Sequence, residues 1–260
     1  MNEYLKKEIM EQSRHQFIYG YDTLEKCLAF KSLEEDYPVK VNENSPIAVY
    51  MKGFSLPKRD IDFDVDKFRL QQVSREYFNL ALIKNIISRI KDNQSLLSDE
   101  NVSKFLRQLC IVTSDKSSYD SFDDFSKDLE SSLSFYLSYY KDLLGGKEIL
   151  PNINDVKIPF MMPDMIVPRI KKMLVNNSYF GIIIDQNSSF CLNTYKIVND
   201  YVGRRINSDL SFKVVTDPRC WSTYYDTNGE FIESIHDYGI VELDDSYSQH
   251  TKELMKKYKM

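Results

Sequence analysis

One apolar segment in the last third of the chain most constrains the fold. Residues 179–186 read Tyr-Phe-Gly-Ile-Ile-Ile-Asp-Gln, so apolar side chains fall on both faces of an extended segment that ends in a carboxylate. A strand that is apolar on both faces must be covered on both faces, which is typical of a central strand in a parallel sheet. The segment therefore predicts a buried parallel strand whose carboxyl end carries Asp185.

Four further segments have the length and composition of buried strands: residues 17–19, 46–52, 212–216 and 240–243. Segments with apolar residues at helical spacing separate them, and three long ones lie between the second and third strands at 68–90, 101–109 and 122–144. This alternation predicts an α/β fold with a five-stranded, mostly parallel sheet and helices on both of its faces. We expect a single domain over residues 1–260, with a helical insertion at about 66–150.

Composition and charge narrow the class of function. The net charge is −5, so overall charge does not support nucleic-acid binding. The four cysteines are far apart and form no CxxC pair, which argues against a zinc ribbon or a disulfide framework. The amino-terminal segment is charged and lacks the apolar core of a signal peptide, and no apolar run is long enough to span a bilayer. We therefore expect a cytoplasmic protein with no membrane partner.

The first strand leads into an incomplete phosphate-binding motif. A P-loop has the pattern G-x-x-x-x-G-K-[ST] between a strand and a helix, where loop amides hold the phosphates and the hydroxyl holds Mg²⁺. Residues 20–27 place Gly20 and Lys26 at the first glycine and the lysine. Glu25 stands at the second glycine, and Cys27 stands at the Ser/Thr position. The motif predicts ATP contacts from Gly20, Lys26 and Cys27.

The segment that ends in Asp185 supplies the second half of such a site. In P-loop NTPases an apolar strand ends in an Asp that holds Mg²⁺, often followed by a Glu that activates the attacking water. Asp185 is in place and is the candidate Mg²⁺ residue, whereas Gln186 stands where the Glu would be. Asp185 and Gln186 are thus the candidate catalytic positions of a P-loop NTPase-like sheet.

In these motifs and their order, the chain resembles the AAA+ ATPases of the origin-recognition type, particularly their bacterial relatives. The resemblance covers residues 17–30, 179–205, 212–218 and 224–245, which together are about a quarter of the chain. It implies an ATP- and Mg²⁺-binding domain. This family usually carries a helical lid and a winged helix after the fifth strand, and we expect both to be lacking because the sequence ends soon after that strand.

Three substitutions weaken the expected chemistry. A Glu25 carboxylate about 4 Å from a phosphate oxygen would be repelled by about 1 kcal/mol in water and about 4 kcal/mol at an effective dielectric constant of about 20. Cys27 offers a soft thiol where hard Mg²⁺ prefers oxygen. Gln186 cannot accept a proton. Together these three substitutions predict that the fold is retained and that ATP hydrolysis is lost.

The sequence therefore predicts a degenerate AAA+ domain that acts as a regulatory or scaffold subunit through a protein partner, such as an active ATPase or an effector. Two alternatives stay open. The first is a slow Mg²⁺-dependent ATPase that uses Lys26 and Asp185. The second is a nucleic-acid-associated adaptor. The resemblance to the origin-recognition family suggests this role, but the net charge of the chain does not support it.

Several polar residues also have simpler structural interpretations. Lys26 is equally consistent with a surface position on the first long helix, and Asp185 with the cap of a helix that begins near Ser188. Asp164 is predicted to cap the helix that carries residues 170–174. His15 is predicted to be exposed to solvent, and residues 227–229, Thr-Asn-Gly, are predicted to form a hairpin tip.

Overall fold

The structure is a computed structural model. It describes residues 3–20, 24–41, 43–51, 56, 66–99, 101–113, 119–147, 156, 158, 162–175, 178–185, 192–204, 209–216, 221, 223–234 and 236–243.

Strands and helices alternate as the sequence predicts. The helices are α1 Glu3–Met10, α2 Leu24–Asp36, α3 Lys67–Asp92, α4 Val102–Thr113, α5 Phe122–Leu144, α6 Pro163–Lys172 and α7 Leu192–Arg204. The strands are β1 Gln16–Tyr19, β2 Ile47–Tyr50, β3 Phe180–Asp185, β4 Leu210–Thr216 and β5 Gly239–Glu242. A short 3-10 helix, Gln94–Leu96, follows α3. None of the described helices is both long enough and apolar enough to cross a bilayer.

The five strands form one sheet in the order β2-β3-β4-β1-β5, and every strand pairing is parallel. The connection that leaves β1 leads to β2 on one side, whereas the connection that leaves β4 leads to β5 on the other. In open α/β sheets, ligands bind outside the carboxyl ends of the strands where the order reverses in this way. The predicted fold class, a P-loop NTPase-like sheet with a helical insertion between β2 and β3, is confirmed.

Contacts between Cα atoms divide the chain into two compact units. The strand unit consists of Met1–Met51 and Ser178–Met260, and the helical unit consists of Lys52–Asn177. All five strands belong to the strand unit, together with α1, α2 and α7. Helices α3 to α6 form the helical unit.

One face of the sheet packs against α1 and α2. Its apolar cluster contains Ile9, Met10, Ile18, Phe30, Leu33, Tyr37, Ala48, Ile183 and Val241. Gly181 allows the close approach of α1, because a Cβ at this position would lie 2.5 Å from Met10 Cε. This face therefore holds α2, the helix that follows the predicted phosphate-binding motif, against β2 and β3.

The opposite face carries an aromatic cluster beneath α7. The Phe17 and Trp221 rings meet edge to face with centroids 4.9 Å apart, and Tyr195 of α7 meets Trp221 at 4.7 Å. Tyr201, also on α7, packs against Phe212 of β4 at 5.2 Å. Edge-to-face contacts are a favoured geometry for buried aromatic rings. The sheet is thus covered by helices on both faces, as β3 requires.

In the helical unit, α3 and α5 form the main pair and α4 packs on α6. Asp66 caps α3, accepting a hydrogen bond from the Arg69 N–H at 3.0 Å, and Ser121 caps α5 in the same way through the Asp124 N–H at 3.2 Å. Helix α5 ends at Gly145, followed by Gly146 with φ of 72°. The end of the predicted helical segment at residue 144 is confirmed.

Two local predictions are wrong and one is confirmed. Helix α6 begins at Pro163 with Met162 as its N-cap, so Asp164 lies inside the first turn, where its charge suits the helix dipole but does not cap it. His15 is buried rather than exposed, and its Nδ1 accepts a hydrogen bond from the Phe212 N–H at 3.0 Å. The turn at residues 227–229 does close a hairpin, in which Gly229 has φ of 83°.

Candidate functional site

The carboxyl edge of the sheet gathers the ends of β1, β4 and β3. Ile18 of β1 pairs with Val215 of β4, and Val215 pairs with Asp185 of β3. Gly20, which is buried, follows β1 directly. Because neighbouring strands are about 4.8 Å apart, Asp185 lies about 10 Å across the sheet from the end of β1. The topology thus brings the β1–α2 junction and Asp185 to one edge.

The helix that follows Gly20 begins where the motif requires it. Helix α2 starts at Leu24, so Lys26 and Cys27 lie in its first turn. A helix amino terminus presents unpaired N–H groups and a positive dipole end, which suits phosphate. The side chains of Lys26 and Cys27, residues 21–23 and Gln186 all lie outside what the structure describes, so their predicted contacts stay predictions.

Asp185 is half-buried, and its carboxylate is engaged by a neighbouring strand. The Tyr50 hydroxyl, at the end of β2, donates a hydrogen bond to Asp185 Oδ2 at 3.0 Å. Hydrogen bonds to ionised groups are stronger than those between neutral groups. The alternative that Asp185 caps a helix beginning near Ser188 stays a prediction, because residues 186–191 lie outside the described part of the chain.

Tyr50 is held from the other side by α2. Its N–H donates to Glu34 Oε1 at 2.7 Å, and Glu34 lies near the end of α2. The edge strand β2 has only one strand neighbour, so this carboxylate satisfies an N–H on its open side. Glu34, Tyr50 and Asp185 therefore connect α2 to the tip of β3 through two hydrogen bonds.

Tyr19, the last residue of β1, lies on the aromatic face immediately before Gly20. Its hydroxyl and that of Tyr224 are 3.2 Å apart, and both rings belong to the aromatic cluster with Phe17. Burial, followed by the nearby Tyr224, raises the pKa of Tyr19 well above its ordinary value. Tyr19 is therefore a neutral, packed support for the β1 end.

The donor set at this edge fits a nucleotide better than it fits Mg²⁺. The amino terminus of α2 is of the kind that suits phosphate, and Asp185 is a hard oxygen ligand. However, the hydroxyl that would share Mg²⁺ is replaced by the Cys27 thiol. Within the described residues, no group of three or more His, Cys, Asp or Glu side chains is placed to hold a metal ion.

A separate small cavity lies in the helical unit and contains none of the predicted site residues. Its volume is about 180 Å³, and it is lined by residues from the start of α4 and the end of α6, including Lys104 and Lys172. The Lys104 ammonium lies 2.7 Å from Asp99 Oδ2. The predicted site residues all belong to the strand unit, and none of them lines this cavity.

Sequence reasoning missed Tyr50 and Glu34. Tyr50 ends a short apolar strand, and nothing in the spacing links it to Asp185, which is 135 residues away. Only the β2–β3 register, in which Tyr50 pairs with Ile183, brings its ring to the tip of β3. The available signal was the order of the strands, because β2 must lie beside β3 in this fold.

The comparison with protein families agrees with this architecture. The model of the ORC-CDC6-like family matches residues 23–258, which is most of the chain. No curated protein and no solved structure matches it. The chain belongs to the ORC-CDC6-like family, and its parallel sheet is that of an AAA+ ATPase-like domain.

Proposed function

We propose that this chain is a nucleotide-binding AAA+ domain that has lost efficient hydrolysis and acts as a regulatory subunit through a protein partner. The observation that carries the proposal is the meeting of the β1–α2 junction and Asp185 at one edge of the sheet. AAA+ domains of this family typically bind nucleotide with Mg²⁺. Asp185 is retained at this edge, whereas the second glycine, the Ser/Thr and the water-activating Glu of the motifs are replaced by Glu25, Cys27 and Gln186.

The loss of hydrolysis follows from the residue types at three positions. Glu25 brings a carboxylate toward the phosphates, Cys27 removes a hard oxygen ligand, and Gln186 removes the general base. Each replacement acts on the same reaction, so their effects combine. A domain that binds nucleotide but does not hydrolyse it efficiently is suited to signalling to another protein whether nucleotide is bound.

Binding is tested by thermal unfolding with ATP and with ADP. A ligand at one hundred times its dissociation constant stabilises the folded state by about 2.7 kcal/mol. We expect such a shift for the wild type, a loss of the shift for Lys26→Ala and an unchanged shift for Lys31→Ala, an exposed lysine further along α2. Equal shifts in the two variants would contradict a phosphate contact from Lys26.

Hydrolysis is tested by restoring the motif residues in the combined variant Glu25→Gly, Cys27→Ser, Gln186→Glu. We expect no measurable turnover in the wild type and Mg²⁺-dependent turnover in the restored variant, which Lys26→Ala should abolish again. Mg²⁺-dependent turnover by the wild type would instead support the slow ATPase. No turnover in a restored variant that binds nucleotide would show that the edge geometry is not that of a hydrolytic site.

The regulatory role requires a stable protein partner. We expect the native chain to purify in a stoichiometric complex with another protein, and we expect nucleotide to change the stability of that complex. Binding to DNA that weakens steeply with salt would favour the nucleic-acid adaptor instead. A chain that purifies alone and binds no DNA would contradict both roles.

A further inference from the structure

The cavity in the helical unit is built on a short antiparallel contact between two backbone segments. The Ser98 N–H donates to the Met173 carbonyl at 2.8 Å, and the Val175 N–H donates to the Leu96 carbonyl at 2.9 Å. The Ser98 hydroxyl donates to the same Met173 carbonyl at 2.9 Å. These hydrogen bonds join the segment before α4 to the end of α6, so the backbone itself holds this part of the cavity wall in place.

The size of the cavity limits the size of its ligand. Its volume is about 180 Å³. An apolar cavity of about 150 Å³ in a protein holds benzene, whereas pockets for drug-sized ligands have volumes of about 300–1,000 Å³. Leu97 and Phe105, which are both buried, give the cavity apolar walls that suit methylene groups. The cavity therefore admits one side chain of a macromolecule and is too small for a nucleotide.

Two lysines from different helices give the cavity a positive charge. Lys104, on the exposed face of α4, and Lys172, in the last turn of α6, both line it, together with Gln108. Within the described residues, no hydrogen bond or ion pair engages the Lys172 ammonium. Of the described residues that line the cavity, Asp99 alone is acidic. Two cations against one anion leave a net positive charge, which favours an anionic ligand.

Asp99 shows which chemical group Lys104 holds at this cavity. The Asp99 Oδ2 lies 2.7 Å from the Lys104 Nζ, and its Oδ1 accepts a hydrogen bond from the Asn101 N–H at 3.1 Å. Both side chains of the ion pair are more than half exposed, and ion pairs at such positions contribute little to stability. An ammonium carries three N–H donors, of which Asp99 uses one. A second carboxylate can therefore share Lys104 with Asp99 or displace it.

We propose that this cavity is a docking site for an acidic segment of the protein partner, and that it receives one carboxylate side chain with Lys104 and Lys172 as the cationic contacts. The inference rests on the proposed regulatory role through a protein partner, and it adds the chemistry by which that partner is recognised. A nucleic-acid backbone fits less well because it needs several cations along one surface. Only two described lysines line the cavity, Asp99 stands beside one of them, and the net charge of the chain is −5.

The test measures peptide binding to the full chain by fluorescence anisotropy at low salt. The probe is a fluorescein-labelled peptide of Glu, Leu and Ser residues, and the same peptide with Gln in place of every Glu is the control for charge. We expect the Glu peptide to bind at least about tenfold more tightly than the Gln peptide. The combined variant Lys104→Gln, Lys172→Gln should bind the Glu peptide about tenfold more weakly than the wild type.

The matched control is the combined variant Lys141→Gln, Lys147→Gln, which removes the same charge from the end of α5. Lys147 forms an exposed ion pair with Asp142 at 2.8 Å, with the same sequence spacing as the pair of Asp99 and Lys104, and neither control lysine lines the cavity. We expect this variant to bind the Glu peptide as the wild type does, within about twofold. Thermal unfolding of each variant checks that it is folded.

Asp99→Asn tests the same contact by a gain of binding. It removes the carboxylate that competes for Lys104, and its amide oxygen can still accept from the Asn101 N–H. We expect Asp99→Asn to bind the Glu peptide severalfold more tightly than the wild type, whereas Asp142→Asn, at the control pair, should not change the affinity.

Several results would overturn the proposal. They are equal binding of the Glu peptide to the two lysine variants, equal binding of the Glu and Gln peptides to the wild type, and no binding of either peptide. Tighter binding of a labelled single-stranded oligodeoxynucleotide, lost in Lys104→Gln, Lys172→Gln alone, would assign the cavity to nucleic acid instead. A native complex that the two lysine variants retain equally would overturn this contact and leave the regulatory role intact. A native chain that purifies without a protein partner would overturn the regulatory role and this proposal with it.

Discussion

The Lys213 ammonium nitrogen lies 2.7 Å from Gln16 Oε1, fully buried beside the amino end of β1. It also donates to the carbonyl oxygens of Gln12 at 2.7 Å and Arg14 at 2.8 Å, so its three N–H groups meet three acceptors. Burial lowers the pKa of Lys213 well below its ordinary value. This lysine fastens the segment between α1 and β1 to β4, at the end of the sheet opposite the candidate site.

Lys213→Met should destabilise the protein because it removes the donor to the buried Gln16 Oε1 and to the Gln12 carbonyl, whereas the Arg14 carbonyl keeps a hydrogen bond from the Ser211 hydroxyl. Methionine has a similar length, so the loss is mainly in hydrogen bonding, and we expect about 3 kcal/mol less free energy of unfolding. Urea unfolding measures it, and Lys31→Met, at an exposed position on α2, is the control. A loss for Lys213→Met no larger than that of the control would mean that water replaces the ammonium at little cost.

Much of the fold could be predicted from the sequence because the strands are short apolar runs separated by helical periodicity. Residues 122–144 were predicted as a helix, and α5 spans Phe122–Leu144. The strand that ends in Asp185 was predicted from its apolar character on both faces, and β3 has this character in the sheet. Local hydrophobic patterns were sufficient to predict an element wherever the residues within that element determine whether it forms a helix or a strand.

Long-range polar contacts could not be predicted in this way. A lysine in the strand sequence Phe-Lys-Val-Val-Thr is ordinarily taken as exposed, and the burial of Lys213 depends on acceptors about 200 residues earlier in the chain. The same holds for His15, which pairs with Phe212, and for the Tyr50 contact with Asp185. These pairs form because the strand order brings residues that are distant in the sequence together. The hydrophobic periodicity of a single segment carries no information about such contacts.

Glu76 provides a pH-dependent prediction in the helical unit. It lies on α3, and burial raises the pKa of its carboxyl from 4.5 to about 7, with Arg75 partly opposing the shift. Among the described residues, its Oε2 has no hydrogen-bond partner. Because the folded state holds this proton more tightly than the unfolded state, the stabilisation is complete below about pH 4.5 and is lost as the pH rises through about 7.

Glu76→Gln should remove this dependence, because the amide stays neutral at every pH. After a discount for solvent screening at a partly exposed side chain, we expect the variant to exceed the wild type in unfolding free energy by about 1–2 kcal/mol at pH 8. At pH 4 the two should be nearly equal. Urea unfolding at both pH values measures the difference, with Glu130→Gln on the exposed side of α5 as the control. A difference that does not change with pH would contradict the prediction.

Asp200 and Thr227 should be energetically coupled. The carboxylate of Asp200, on α7, accepts hydrogen bonds from both the N–H and the hydroxyl of Thr227 at 2.8 Å, which fixes the hairpin tip to the helix. In a double-mutant cycle of Asp200→Asn and Thr227→Val, we expect a coupling energy of about 1–2 kcal/mol. Additive effects would show that the backbone N–H contact alone holds the tip, because Thr227→Val removes only the hydroxyl.

Gly146 closes α5 in a conformation that other residues adopt at a cost. The Lys147 N–H donates to the Asp142 carbonyl at 3.0 Å, and the Gly146 N–H donates to the Leu143 carbonyl at 3.0 Å, which is the Schellman pattern. A Cβ at Gly146 would meet no atom within 4 Å, so a substitution is penalised only through its φ of 72°. We therefore expect Gly146→Ala to lower the free energy of unfolding by about 1–2 kcal/mol and Gly146→Asn to lower it by less, because asparagine tolerates the left-handed region. Thermal unfolding of the two variants distinguishes a backbone cost from a steric one, since a steric cost would make the larger asparagine the more destabilising of the two.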